Sequence, residues 1–194
     1  MCTALSFITK DHYFGRNLDL EYHYNEAVTI MPRNYPIRFR CSENFTNHYA
    51  TIGVATIDND YPLYYDAVNE HGLCMAGLNF PGNATYHPPS DLAINIASFE
   101  LIPWVLCQCK NVAEACCKLK NVRIVDLAYS EKFKPTPLHW ILSDRMQSVV
   151  LEPMEEGLVI HKNPIGVLTN NPAFMFHLEN LRQYLRLTDR KSVV

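Results

Sequence analysis

Cysteine stands at position 2 of this chain, directly behind Met1. Removal of that single residue would leave a chain that begins with cysteine. Such a residue carries a thiol with an ordinary pKa of about 8.5 and an α-amine near about 8. The amine, unlike an interior amide, can take the thiol's proton and serve as the base for its own nucleophile. Two charged residues lie close behind, Arg16 and Asp19, in the block Phe14-Gly15-Arg16-Asn17-Leu18-Asp19. A nearby cation lowers a thiol pKa, and a carboxylate can bind the ammonium form of the amine. The pattern therefore suits nucleophilic catalysis by a terminal cysteine. The competing reading makes Cys2 a small apolar residue at the start of an edge strand.

Those three residues must be brought together by the elements around them. Residues 2–8 (CTALSFI) form an apolar run, Thr9-Lys10-Asp11 a polar turn, and residues 12–18 (HYFGRNL) a second extended run. The two are expected to pair as a hairpin, which returns Arg16 and Asp19 to the start of the first strand. Residues three apart in a regular strand point to opposite faces, so the chain must turn or bulge near Asn17-Leu18. Further strands are expected at 27–31, 50–57, 63–68 and 73–80, the last stopped by Pro81-Gly82-Asn83. From about 91 to 120 the period becomes helical, with Ser98 as expected N-cap of one helix and Asn111 of a second. Strands return at 121–128, 138–143, 147–152 and 157–161, and a helix is expected over 174–187. This order argues for an α+β fold in which helices cover sheets.

Composition narrows the function. The 194 residues are 48% hydrophobic with a net charge of −3, so one globular domain (1–194) is expected and nucleic acid is a poor partner. No apolar run reaches the ~20 residues that span a bilayer, and no secretory signal is legible. Seven cysteines, an odd number, fit a reducing cytoplasm better than a disulfide framework. The spacing of Cys107, Cys109, Cys116 and Cys117 does not match zinc sites. They are expected to pack in helices.

Six segments, in order, carry a resemblance: Cys2-Thr3, Phe14 to Asp19, Asn69-Glu70-His71-Gly72-Leu73, Ala76 to Gly82, Pro137-Leu138-His139-Trp140 and Val167 to Pro172. Together they resemble the choloylglycine hydrolase family of bile salt hydrolases and penicillin V acylases. The resemblance implies an N-terminal nucleophile hydrolase with an αββα sandwich. It makes Cys2 the nucleophile and its freed amine the base, with Arg16 and Asp19 holding and tuning that residue. It gives the oxyanion hole to the backbone N–H of Asn79 and the side-chain amide of Asn170. Ordinary turn chemistry is the competing reading of both asparagines. His71 and His139 are left structural, because the family's base is the α-amine.

The resemblance also implies a substrate and no metal or organic cofactor. Bile salt hydrolases tend to carry asparagine at the position of Asn79 and penicillin V acylases tyrosine, so glycine- or taurine-conjugated bile salts are expected. The acyl-thioester could pass to another amine, giving transfer as a side activity. A steroid needs an apolar pocket, for which Phe14, Leu18, Tyr22, Tyr24, Ile57 and Phe80 are candidate walls. The family continues past the last helix read here, with a Gly-rich segment and a Pro-Pro-Ser-Arg-type motif whose arginine belongs to the active site. On this reading the chain is a C-terminally truncated form, with sheet surface uncovered and edges unpaired. A non-catalytic remnant that only binds bile acid and a penicillin V acylase are the alternatives. A homotetramer is the association the family implies.

Overall fold

The structure is a computed structural model that describes residues 1–184. Six strands come first: β1 (Thr3–Ile8), β2 (His12–Asn17), β3 (Ala27–Met31), β4 (Thr51–Asp58), β5 (Tyr61–Asn69) and β6 (Cys74–Asn79). Then follow β7 (Ile94–Ala97), a 3-10 turn at Ser98–Glu100, α1 (Leu101–Leu106), α2 (Val112–Leu119) and β8 (Val122–Val125). The last elements are β9 (Leu138–Ser143), β10 (Ser148–Met154), β11 (Gly157–Lys162), β12 (Val167–Thr169) and α3 (Phe174–Arg182).

β1 and β2 form the expected antiparallel hairpin, with Thr3 opposite Asn17 and Ala4 opposite Arg16. β12 pairs with the other edge of β1, setting Thr169 opposite Thr3. This small sheet alternates as a half-buried sheet must: Ala4 and Ser6 point inward, while Leu5, Phe7 and Tyr13 are exposed. The outer edge of β2 has no partner strand among the described residues.

The larger sheet runs β11-β10-β9-β6-β5-β4-β3, antiparallel throughout. Its centre is buried on both faces, which is why β6, β9 and β10 read as nearly continuous apolar runs. One face carries the main core, where Leu73, Met75, Trp140 and Leu142 meet Leu101, Val105 and Leu106 of the wholly buried α1. The other face meets the small sheet through Cys2, Ala4, Leu168 and Phe174 against Ala76, Leu78, Ile141 and Val150. The described residues thus stack as helices, large sheet and small sheet. Among them, no helix is long and apolar enough to cross a membrane.

Several boundaries differ from the sequence expectation for physical reasons. β5 begins at Tyr61 because Asn59 and Asp60 adopt positive φ, 47° and 61°, which makes a tight hairpin whose flanks stay in the ladder. Residues 94–97, expected in a helical region, form β7 and pair in parallel with β8 across the helical crossover. Ser98 does not cap a helix. The chain makes a 3-10 turn there, and Glu100, fully buried, accepts from the N–H groups of Ala97 and Arg40 at 3.2 and 2.7 Å. Asn111 does cap α2, accepting from Glu114 N at 2.9 Å. α3 stops at Arg182, and the expected stretch beyond residue 184 lies outside the described residues. Cys107 and Cys109 sit just past α1 as buried core, whereas Cys116 and Cys117 lie on α2.

Candidate active site

Cys2 closes the gap between the sheets at the point where β1 begins beside the end of β12. It is 5% exposed. Its backbone N donates to Asn170 Oδ1 at 2.6 Å, a contact made possible because β12 delivers Asn170 one residue past the Thr169–Thr3 pair. Asn170 turns its other end to β6, where Nδ2 donates to the carbonyl of Asn79 at 2.7 Å. Both predicted asparagines are therefore in one hydrogen-bonded chain with Cys2. Asn171, next door, instead donates to Pro81 O at 2.6 Å.

The N–H and C=O of one residue in an antiparallel strand point to the same side. The carbonyl of Asn79 meets Asn170, so the N–H of Asn79 is aimed along the same edge. That edge is free because β5 leaves β6 after the Asp66–Ala76 pair.

Arg16 fills the opening this divergence creates. One guanidinium nitrogen donates to Gly77 O at 2.8 Å and Tyr65 O at 3.3 Å, joining β6 to β5 where their ladder has ended. Its Nε lies 4.0 Å from Asp66 Oδ2. Burial raises the Asp66 pKa, and the Arg16 charge opposes that rise. With its side chain only 5% exposed, Arg16 is a fixed cation lining the same pocket as Cys2.

β2 ends at Asn17 and the chain leaves the ladder through Leu18-Asp19-Leu20 without a turn or bulge at Asn17-Leu18, which is enough to free Asp19 from the strand's alternation. Asp19 reaches the terminal ammonium of Met1. That hydrogen bond raises the amine's pKa and lowers that of Asp19. Asn17, which the sequence reading did not single out, brackets the same segment. Its side chain donates to Met1 O at 2.9 Å and accepts from Thr3 N at 2.6 Å.

A pocket of about 380 Å³ opens beside Cys2, Arg16 and Asn79. Its apolar wall includes Leu18, Leu20, Tyr24, Leu63, Phe99 and Phe133. Of the six wall candidates, Leu18 and Tyr24 line it and four do not. Phe80 is fully buried and stacks on His139, because it falls on the inward side of its strand end. Phe14 packs against the core between the sheets. Tyr22 and Ile57 are exposed, at 70% and 49%, outside the lining. The loop Tyr129-Lys132-Phe133-Lys134 was missed. Its signal was a cluster of aromatic and basic residues ahead of Pro135 and Pro137.

Neither His71 nor His139 joins Cys2. His139 is fully buried against Glu152 at 3.2 Å, and His71 packs edge-on against Tyr49.

The family described as linear amide C–N hydrolases, choloylglycine hydrolase family, matches residues 2–193. A bile salt hydrolase/transferase of Lactiplantibacillus plantarum is 49% identical over 189 residues, covering 97% of this chain and 58% of that protein. A conjugated bile acid hydrolase of Lactobacillus gasseri is 43% identical, with 96% and 60% covered. The chain thus spans about 60% of the length of these relatives. Among solved structures, an arginine-to-leucine variant of the conjugated bile acid hydrolase from Clostridium perfringens superposes with a TM-score of 0.92 at 40% identity, covering 98% of this chain and 60% of the other. A penicillin V acylase from Agrobacterium tumefaciens gives 0.79 at 22% identity, with 96% and 58% covered, a likeness of fold alone. The fold is that of the N-terminal nucleophile hydrolases.

Proposed function

The chain belongs to the choloylglycine hydrolase family of linear amide C–N hydrolases, and on that premise we propose that it hydrolyses glycine- or taurine-conjugated bile acids with Cys2 as nucleophile. The observation that carries this reading is the hydrogen-bonded chain Cys2–Asn170–Asn79 at the mouth of an apolar pocket. The lining also holds Arg16, Lys132 and Lys134 and no carboxylate among the described residues. An apolar wall with only cationic charge suits an anionic amphiphile. Asn79, rather than a larger tyrosine, supports the bile-salt reading over the penicillin one.

Loss of Met1 converts the Cys2 amide nitrogen into an amine. Asp19, which meets the terminal ammonium of Met1, is then the nearby carboxylate for the new one. The amine takes the thiol proton, and the thiolate attacks the amide carbonyl. Asn170 Nδ2 has two hydrogens, one on Asn79 O and one to offer the oxyanion beside the N–H of Asn79. Collapse of the tetrahedral intermediate breaks the C–N bond, with the Cys2 ammonium protonating the leaving amine. Water then attacks the thioester, giving its proton to the Cys2 amine. The products are free bile acid and glycine or taurine, and the thiol is restored. A second amine in place of water gives acyl transfer. Seven cysteines, all free among the described residues, suit a reducing cytoplasm.

The test is release of glycine and taurine from conjugated cholates by protein whose mass shows that Met1 is gone. Release should vanish in Cys2→Ala. Undiminished release in that variant would sink the mechanism. Bile-salt binding without release would instead favour a non-catalytic binder, and preferential cleavage of phenoxymethyl penicillin would favour an acylase.

A further inference from the structure

Behind the proposed oxyanion site lies a buried acid that the reaction itself does not use. Glu152 stands on β10, 1% exposed, on the face that meets the small sheet. An unpaired carboxylate there would be costly, and its oxygens are fully engaged. Oε1 accepts from His139 Nδ1 at 3.2 Å and from the backbone N of Phe174 at 2.9 Å. Oε2 lies 3.3 Å from His161 Nε2 on β11. Burial raises its pKa, but the hydrogen bonds from both imidazoles and Phe174 N more than offset that, holding it at about 2.

Two of these three partners, His139 and Phe174, each lead to one of the two asparagines. His139 is fully buried and stacks on Phe80 with ring centres 4.2 Å and planes 8° apart. Phe80 directly follows Asn79, and its own N donates to Pro137 O at 2.8 Å. Phe174 begins α3, and only three residues separate it from Asn170. Its ring is buried in the same core as Cys2. Resting on the functional reading above, we propose that Glu152 is a positioning residue: one carboxylate fixes Asn79 through the His139–Phe80 stack and Asn170 through the backbone of Phe174.

The physical basis is that two strand ends from distant parts of the chain, those of β6 and β12, must hold their donors in register within a fraction of an ångström. Strand ends anchored separately would drift relative to each other, and a misplacement of about 1 Å can cost roughly 10²-fold in rate. A single buried acceptor with partners on β9, β11 and α3 removes that relative freedom. Glu152→Gln keeps the size and an oxygen for Phe174 N. That oxygen can accept from His139 Nδ1 as well, as Oε1 does here, so this variant loses only the charge and the acceptor facing His161.

The experiment reads Glu152→Gln and the double variant His139→Leu/Glu152→Leu beside the unmodified protein, in two ways. The double variant removes charge and partner together, so it leaves no orphaned buried ion. Backbone hydrogen exchange should speed up in the segments 78–81 and 168–175 of the double variant, which removes both links, and much less in Glu152→Gln, while β3 and β4 stay unchanged. Turnover of conjugated cholate by the double variant should fall roughly 10²-fold in kcat, with KM within about threefold. Unchanged exchange in the two segments would overturn the proposal, as would loosened segments with undiminished kcat. If the unmodified protein releases no amine, the functional reading fails. Exchange then decides the positioning role by itself.

Discussion

At the residue scale the site depends on one side chain facing two ways. Asn170 offers an oxygen to Cys2 N and a donor to Asn79 O, so its two ends are not interchangeable. Asn170→Ala removes both contacts and the oxyanion donor proposed above, and kcat for amine release is expected to fall about 10²–10³-fold. Asn170→Asp keeps the acceptor for Cys2 but sets a carboxylate where negative charge must develop. Its kcat should fall at least as far as that of the alanine variant. Steady-state kinetics on taurine conjugates would show this order, and a milder aspartate variant would contradict the assignment of the oxyanion to this side chain. Arg16 is different in kind. It bridges β5 and β6 as well as lining the pocket, so its replacement should lower stability and activity together.

At the element scale the position of Cys2 is set by the register of three strands. Gly166 keeps that register at the start of β12: it has φ +73°, and an added Cβ would run into the carbonyl oxygen of Ser6. Ser6 N in turn donates to Gly166 O at 2.7 Å. Gly166→Ala should therefore cost more than the ~1–2 kcal/mol of a left-handed residue, read as a lower urea midpoint, and reduce turnover as β12 shifts. Asn111→Ala is the contrasting case. Loss of the α2 cap should cost about 1 kcal/mol and leave turnover of the folded protein unchanged, since α2 packs on the far face of the large sheet. Equal loss of turnover in both variants would argue against control by strand register.

For the whole molecule, Glu152 links the layers and gives them a pH dependence of known sign. Its folded pKa of about 2 lies below the ordinary 4.5. A carboxylate depressed in this way contributes stability above its unfolded pKa and loses it as pH falls through the folded value. Stability should therefore hold above about 4.5 and decline towards about 2, with His139, His161 and the Phe174 N–H as the groups that lose their anion. Glu152→Gln should flatten this acid decline, measured by denaturant midpoints across pH. It should not abolish the decline, because Glu70, held at about 2 chiefly by its hydrogen bond to Arg33, titrates in the same window.

Local chemistry decided much of this protein before any folding. The turn at 9–11, the hairpin of 2–8 with 12–18 and the Asn111 cap depend on neighbours a few residues apart, and each was legible in the sequence. Cys2, Arg16, Asp19, Asn79 and Asn170, proposed above as the site, were singled out because their segments resemble a family in composition and order. The parallel pairing of β7 with β8 was not legible, since a short strand beside a helical stretch is decided by a partner 28 residues away. Nor was the pocket wall. Phe80 and Phe14 have the right chemistry but face the core, while Tyr129 and Phe133 reach the pocket from a loop that carries no strand pattern. Glu152 is the sharpest case: within Ser148-Val149-Val150-Leu151-Glu152-Pro153 it is one acid in an apolar strand. Only the packing of β9, β11 and α3 around it gives that charge its partners, because a hydrogen bond needs distance and direction that sequence order does not contain.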